Sequence, residues 1–388
     1  MSNEKALRAK EAQYNEFYTQ YEDIQYEVNA YIDYNPDVFR DKVILLPCDD
    51  PEWSNFTRFF AQNFEKFGIK KLISTSYAMN SKNKINNHQI SIDEYLTSFE
   101  TTSPKFNKDI TPSHGKIFTL TRKNKKRIDI DALEWDYLDG DGDFRSPEVK
   151  ALRDEADIII TNPPFSLYRE MIAWIFEANK KFLVIGNKGS STYKEIFPLI
   201  KENKMWSGRT EWGGGMWFES GDPDNVDKVV NGKNMKNVPS TWFTNLDHGR
   251  RHEPLDLMTM EDNRRYSKHS DIREKGYIPY YNYDAIDVPY TDAIPDDYDG
   301  IMGVPSTFLE KYNPDQFEIV DNGSYAPKTL EHVAYKEKGV INYEKDGVVV
   351  WSTKYTVSER KAGNGLRLNE NGLPGGLPYG RILIRRKR

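Results

Sequence analysis

One segment of the chain has residue types suited to a specific chemistry. Asp157-Ile158-Ile159-Ile160-Thr161 is an apolar run that leads directly into Asn162-Pro163-Pro164-Phe165. A planar amide or exocyclic nitrogen is a poor nucleophile, because its lone pair is delocalised. To attack an electrophilic methyl group it must pyramidalise, and two acceptors aimed at its two N–H bonds favour that geometry. The Asn162 side-chain oxygen supplies one acceptor and the Pro163 carbonyl the other. Two consecutive prolines fix φ at about −65°, so the acceptors are set before reaction. Phe165 offers a face on which a planar base stacks. The arrangement stabilises charge that develops only in the transition state. Asn-Pro-Pro alone ends a strand as readily as it builds a site. The apolar strand before it, the aromatic after it and the helical pattern beyond favour the site.

The elements that must position this segment are legible in the apolar periodicity. Helical spacing covers 6–32 and stops at Asn35-Pro36. Residues 42–46 read as a buried strand, 53–67 as a helix closed by Gly68, and 71–76 as a second strand. A helix over 148–155 precedes the 157–161 strand. Then follow a helix over 167–179, a strand over 181–186 and a helix over 193–203. Strands alternating with helices of roughly 10–15 residues are the signature of a parallel α/β sheet. Such sheets bind ligands at the carboxyl ends of their strands, which is where Asn162 stands. The polar stretch 79–115 reads as an insertion. Residues 116–120 and 127–130 read as a hairpin around Arg122-Lys123-Asn124-Lys125-Lys126-Arg127. Two more strands, 215–218 and 240–244, are expected to pair antiparallel at the sheet edge across a Gly/Asn/Asp-rich loop. Beyond residue 255 the alternation stops, and Tyr, Asp, Pro and Gly dominate.

Composition excludes several classes. The chain has 388 residues, 38% of them hydrophobic, and 25 glycines, a globular rather than disordered balance. Its one cysteine, Cys48, rules out a disulfide scaffold and has no neighbouring His to make it a nucleophile. The start, Met1-Ser2-Asn3-Glu4-Lys5-Ala6, lacks the apolar segment of a secretory signal, and no apolar run is long enough to span a membrane. A reducing cytoplasm is the expected compartment. Net charge is −6, with 54 basic against 60 acidic residues, but the charges separate along the chain. The stretch 361–388 carries Lys361, Arg367, Arg381, Arg385, Arg386, Lys387 and Arg388 against Glu370 alone, whereas 284–299 is rich in Asp and has no base. One face tracking phosphates is one reading; a solvated surface with a frayed basic tail is the plainer one. The 13% of aromatic residues serve base stacking or an ordinary core equally well.

Other candidate signals fall away on inspection. Asp139-Gly140-Asp141-Gly142-Asp143 begins like a calcium loop, but Phe144 and Lys150 stand where Gly and Glu are required. The histidines lack metal spacing. Gly213-Gly214-Gly215 reads as a hairpin corner, and Arg250-Arg251 and Arg264-Arg265 as surface bases able to touch phosphates.

Asn162-Pro163-Pro164-Phe165 resembles motif IV of amino-group methyltransferases, in the form typical of those acting on DNA adenine. Asn15-Glu16-Phe17-Tyr18-Thr19, Cys48-Asp49-Asp50-Pro51-Glu52-Trp53-Ser54-Asn55-Phe56, Gly142-Asp143-Phe144-Arg145-Ser146, Trp242-Phe243-Thr244-Asn245-Leu246 and Gly303-Val304-Pro305-Ser306-Thr307-Phe308-Leu309 extend the likeness. Together the ordered series is similar to the EcoRI-type adenine-specific family over most of the chain. The resemblance implies a Rossmann-like class I sheet that binds S-adenosylmethionine, with a C-terminal target-recognition region. The implied division is 1–40 for the opening motif, 41–255 for the catalytic domain and 256–388 for recognition of double-stranded DNA. Phe17, Tyr18 and Thr19 would line the methionine end of the cofactor. Pro47, Asp49 and Asp50 end the first strand, where a carboxylate bonds the cofactor's ammonium group. Asp143 would accept from the cofactor's adenine amine with Phe144 packed on the ring; Asp136 is the rival for that role. Lys123, Lys125, Lys126, Arg127, Arg250 and Arg251 are the candidate DNA contacts. Transfer would be direct, without a metal, onto a flipped adenine, and the protein a monomer. The chain departs from the usual methyltransferase pattern at two places. Pro47-Cys48-Asp49-Asp50-Pro51 replaces a glycine-rich loop, and Ser74-Thr75-Ser76-Tyr77 lacks a ribose-binding acid. The same motif also serves RNA adenine or protein glutamine, and a non-catalytic nucleic-acid-binding protein on this fold is the alternative class.

Overall fold

Apolar runs with no polar alternation require cover on both faces, and the chain gives them that. The computed structural model describes residues 17–78, 103, 105–122, 134–220, 226–280, 283–323, 340–345, 348–352, 366, 368–370, 373–375 and 380–387. Two units divide the chain, Met1–Ser190 with Met205–Gly249, and Ser191–Lys204 with Arg250–Arg388.

The first unit runs β1 (Phe17–Thr19), α1 (Tyr21–Tyr34), β2 (Val43–Leu46), α2 (Asn55–Gln62), β3 (Lys71–Thr75), β4 (Lys116–Thr121), β5 (Asp136–Tyr137), α3 (Pro147–Glu155), β6 (Ile158–Thr161), α4 (Tyr168–Glu177), β7 (Lys181–Asn187), β8 (Trp206–Ser207), β9 (Met216–Ser220), β10 (Lys228–Val230), β11 (Lys233–Val238) and β12 (Ser240–Thr244). An eight-stranded mixed sheet has the order β5-β4-β3-β2-β6-β7-β12-β8. Its centre, β3-β2-β6-β7, is parallel, and both flanks are antiparallel. Every residue of β2 and β6 is buried, as strands covered on both faces must be. From β2 the chain crosses through α2 to β3 on one side, while β6 lies on the other. Strand order therefore reverses between β2 and β6.

Helix α2 starts at Ser54, whose hydroxyl accepts the Phe56 amide at 3.1 Å. Its inner face carries Phe56, Phe59 and Phe60. Phe60 packs edge-on to Phe59 with centroids 5.3 Å apart, and Phe56 meets Trp242 of β12 at 5.6 Å. Ile24, Val28 and Tyr31 of α1 join the same core. Glu27 of α1 is fully buried. It accepts the Arg209 and Thr210 amides, each at 2.7 Å, and the hydroxyls of Thr210 and Tyr31 at 2.6 and 2.8 Å.

Three elements differ from the periodicity. Residues 17–19, inside the helix expected over 6–32, are a strand pairing antiparallel with β9, since an available sheet edge overrides local spacing; residues 6–16 lie outside the described residues. The 215–218 and 240–244 strands are not partners. β12, buried throughout, inserts beside β7 in the main sheet. β9 alternates buried and half-buried residues and belongs to a separate four-stranded sheet, β1-β9-β11-β10. The polar loop between them holds the hairpin β10–β11. Its two-residue turn, Asn231-Gly232, has both φ positive, at 50° and 80°, as a right-twisted hairpin prefers. The second arm expected of the 116–130 hairpin lies outside the described residues; β4 pairs with β3 and, at Lys116 and Ile117, with β5.

In the second unit, α5 (Met260–Tyr266), α6 (Ser270–Lys275), β13 (Ile278–Pro279), β14 (Ile286–Asp287), β15 (Met302–Pro305), β16 (Phe317–Asn322) and β17 (Arg381–Arg386) are the main elements. A five-stranded sheet has the order β13-β14-β15-β17-β16. The basic C-terminal stretch is thus not frayed at 381–386. Ile382, Leu383 and Ile384 are fully buried, and Arg381 makes a buried pair with Asp287 at 2.7 Å. Tyr280 donates to the same carboxylate at 2.5 Å. Among the described residues no helix is long and apolar enough to cross a membrane.

Replacing Glu27 with Leu leaves two partly buried amides and two hydroxyls without their acceptor. At about 1–3 kcal/mol per buried unpaired donor, the variant is expected to lose about 3 kcal/mol or more. The check is a lowered denaturant midpoint at unchanged slope; an unchanged midpoint contradicts the assignment.

Candidate active site

The loops leaving the carboxyl ends of β2, β3 and β6 meet where the strand order reverses. From β2 comes Pro47-Cys48-Asp49-Asp50, and from β6 comes Asn162-Pro163-Pro164-Phe165. Asn162 and Phe165 are half-buried, Pro163 is buried and Pro164 is exposed. Phe165 opens a short 3-10 turn, Phe165–Leu167, that passes into α4.

Asp49 joins the two loops. Its carboxylate accepts from Ser54 Oγ at 3.0 Å and from Thr161 Oγ1 at 2.7 Å. The backbone amide of Asn162 donates to it as well. Its own amide donates to Thr75 O at 3.0 Å, and its carbonyl accepts from Ser74 Oγ. Asp49 is 4% exposed. Burial pushes its carboxyl up to about 7, against the lowering effect of the Thr161, Ser54 and Asn162 bonds.

Asp50 enters a second network. Lys116 at the start of β4 is buried, with its ammonium 3.1 Å from Asp50, 2.8 Å from Glu52 and 5.0 Å from the Trp135 ring centroid. Ser103 donates to the other Glu52 oxygen at 2.7 Å. Burial raises the Asp50 carboxyl, and Lys116 opposes that rise. Pro47 is buried, and its carbonyl accepts from Thr75 Oγ1 at 3.2 Å. Bonded carboxylates thus brace the loop where a glycine-rich turn is more usual.

Asp143 and Phe144 lie in the loop between β5 and α3. Burial raises the Asp143 carboxyl, but its bonds to the Arg145 side chain and amide outweigh this and hold it below its ordinary value. Arg145 bonds it at 2.6 Å and reaches Glu170 of α4 at 2.7 Å. Phe144 is buried edge-on to Trp174, with centroids 5.5 Å apart. Gly142, with φ +79°, brings this loop against the end of β3. A Cβ there would lie 2.1 Å from Ser76 O.

Thr19 is buried on β1, and its carbonyl accepts from Asn55 Nδ2, at the start of α2, at 2.8 Å. Among the described residues its hydroxyl has no partner. A buried unpaired hydroxyl costs about 1–3 kcal/mol, which a polar group of a bound molecule would offset. This orphaned hydroxyl beside the start of α2 fits a ligand that presents a polar group there. The strand positions of Phe17 and Tyr18 are described, but their side chains are not.

The structure therefore gathers Asp49, Asp50, Pro47, Asn162 and Pro163 at the strand ends, with Thr19 beside the start of α2 and the Asp143 loop against β3. The Ser54, Thr161, Lys116 and Glu52 partners had escaped the sequence. Only Ser54 carried a local signal, a hydroxyl ahead of an apolar helical pattern. Lys123, Lys125, Lys126 and Arg127 lie outside the described residues. Arg250 is partly exposed, whereas Arg251 is buried and bonds Asn203 within the second unit.

A mixed α/β sheet with Asn-Pro-Pro-aromatic beside its reversal point is the arrangement of an amino-group methyltransferase. Residues 5–387 match the family described as adenine-specific methyltransferase EcoRI. The chain is 38% identical to the Type II methyltransferase M.EcoRI of Escherichia coli over 330 residues, 82% of this chain and 89% of that protein. It is 36% identical to the Type II methyltransferase M.MpnI of Mycoplasma pneumoniae over 321 residues, 81% of this chain and 84% of that one. A third relative is the Type II methyltransferase M.MgeORF184P of Mycoplasma genitalium, 34% identical over 321 residues, with 81% and 84% covered. No solved structure matches the chain. The chain belongs to the EcoRI family of adenine-specific methyltransferases. Its methyl donor is S-adenosylmethionine.

Replacing Asn162 with Ala is expected to reduce methyl transfer about a hundredfold to a thousandfold, the loss typical of removing an oriented transition-state partner. Cofactor affinity should stay within a few fold, read by calorimetric titration. An equal loss of cofactor affinity would contradict the acceptor role.

Proposed function

We propose that the chain methylates the exocyclic amine of adenine within one short sequence of double-stranded DNA, after flipping the base from the helix. The observation that carries this reading is the position of Asn162-Pro163-Pro164-Phe165 at the carboxyl end of β6, beside the reversal of strand order. On the sheet, read as Rossmann-like and of class I, Thr19, Pro47 and Asp50 hold the amino acid end of S-adenosylmethionine. Asp143 and Phe144 stand at its adenine end. The cofactor supplies an electrophilic methyl on sulfonium sulfur. A paired adenine cannot reach such a site, so the base must leave the stack.

Asn162 Oδ1 and the Pro163 carbonyl accept the two N–H bonds of the amine and turn its lone pair toward the methyl. Phe165 stacks on the ring. When bound, the cofactor would give its methyl to the amine nitrogen and keep the S–C electron pair on sulfur. The extra proton of the methylated amine would then pass to water. No covalent enzyme intermediate is required.

Residues 256–388 act as the target-recognition region, 1–40 carry the opening motif and 41–255 the catalytic domain. Arg250 and the basic run at 123–127 contact phosphates. The protein works as a monomer in the cytoplasm.

The test is single-molecule modification sequencing of DNA from cells expressing the wild type or Asn162→Ala. Methylated adenine in one sequence context, lost in the variant, is the expected outcome. Unmodified DNA in both would overturn the reading in favour of an RNA or protein substrate, or of a binding protein without catalysis.

A further inference from the structure

Pro163 and Pro164 have no amide hydrogens. Within Asn162-Pro163-Pro164 the only backbone donor is therefore the Asn162 N–H. That donor bonds the Asp49 carboxylate. The residue before it, Thr161, bonds the same carboxylate through Oγ1 at 2.7 Å. The ladder between β2 and β6 ends at Leu45↔Ile159. Beyond that point the two strands are joined by the Asp49 side chain.

The other partners of Asp49 make it a fixed anchor. Ser54 Oγ, at 3.0 Å, ties it to the start of α2, and its backbone bonds both Thr75 and Ser74 at the end of β3. Accepting from donors on both α2's start and β6's end fixes the buried Asp49 side chain between the two elements.

We infer that Asp49 is a positioning residue for methyl transfer: by holding the Thr161 hydroxyl and the Asn162 amide, it sets the two acceptors of the Asn-Pro-Pro segment for the target amine. The inference deepens the proposed function and rests on it. It differs from the cofactor contact that the sequence resemblance implies for Asp49. Its carboxylate is instead turned into the protein, onto α2 and β6.

The test uses the full-length enzyme, S-adenosylmethionine and a duplex containing the methylated context. Asp49→Asn keeps the shape but puts an amide NH₂ among three donors. The Ser54 and Thr161 hydroxyls can turn to accept, but the Asn162 amide cannot. Single-turnover methylation should fall about tenfold to a hundredfold, the usual consequence of a small misplacement of reacting groups. The dissociation constants for cofactor and duplex should stay within about threefold. Thr161→Val, which removes the same tie from the other side, should slow the step in the same sense. The double variant should be less impaired than the product of the two single effects, as for groups acting through one contact.

A loss of cofactor affinity in Asp49→Asn that matches the loss of rate would overturn the inference and make Asp49 a direct ligand. So would an unchanged rate, or effects of the two substitutions that simply multiply. Should Asp49→Asn fail to fold, Thr161→Val decides alone: slowed transfer at unchanged cofactor affinity supports the inference, and wild-type kinetics overturn it. A wild-type enzyme that does not methylate the duplex would fail the proposed function itself, whereas a methylating wild type with an unimpaired Asp49→Asn fails only this inference.

Discussion

The reversal of strand order beside β2 is the constraint on which the rest depends. One crossover leads from β2 to β3 and the other half of the sheet starts at β6, so the chains leaving β2 and β6 turn apart. Backbone cannot close the resulting crevice, because the ladder between the two strands stops at Leu45↔Ile159. Side chains must define it. A crevice at the carboxyl ends of parallel strands is where open α/β sheets place their ligands. The chain puts its most chemically specific segment there.

Glycine-rich turns allow a cofactor to approach backbone amides closely. This chain builds the same region from carboxylates. Asp49 binds toward β6 and α2, and Asp50 with Glu52 binds toward β4 through the buried ammonium of Lys116. Burying charge is costly unless each ion is paired and hydrogen-bonded. Here the Lys116 ammonium has two carboxylates and the face of Trp135. The loop is therefore held by specific partners rather than by a favoured backbone shape. A loop so braced offers a reacting group fixed positions, which is what pre-organised catalysis requires.

Much of this was readable in the sequence, for identifiable reasons. The central strands are unbroken apolar runs, and the two prolines of the β6 loop fix a conformation that needs no tertiary help. The carboxylate partners were not readable. Lys116 stands 64 positions from Glu52, and Thr161 from Asp49 by 112, so only the folded sheet brings them together. β1 was hidden because Phe17 and Tyr18 continue the helical spacing that follows. The Asn231-Gly232 turn did carry its own signal, but it lay within a polar stretch whose strands lack apolar alternation. Arg251 read as a surface base and is buried, since pairing with Asn203 is invisible in a local run of charge. The basic ending hid a core strand, because Ile382, Leu383 and Ile384 are too short a run to outweigh the arginines around them.

The central claim is that the crevice between β2 and β6 brings the cofactor's methyl and the target amine together. A structure with a non-reactive cofactor analogue and a target duplex tests it most directly. The analogue is expected to lie across the carboxyl ends of β2 and β6. An extrahelical adenine is expected, with its amine at about 3 Å from both Asn162 Oδ1 and the Pro163 carbonyl oxygen. An analogue bound elsewhere, or an adenine held away from Asn162, would contradict it.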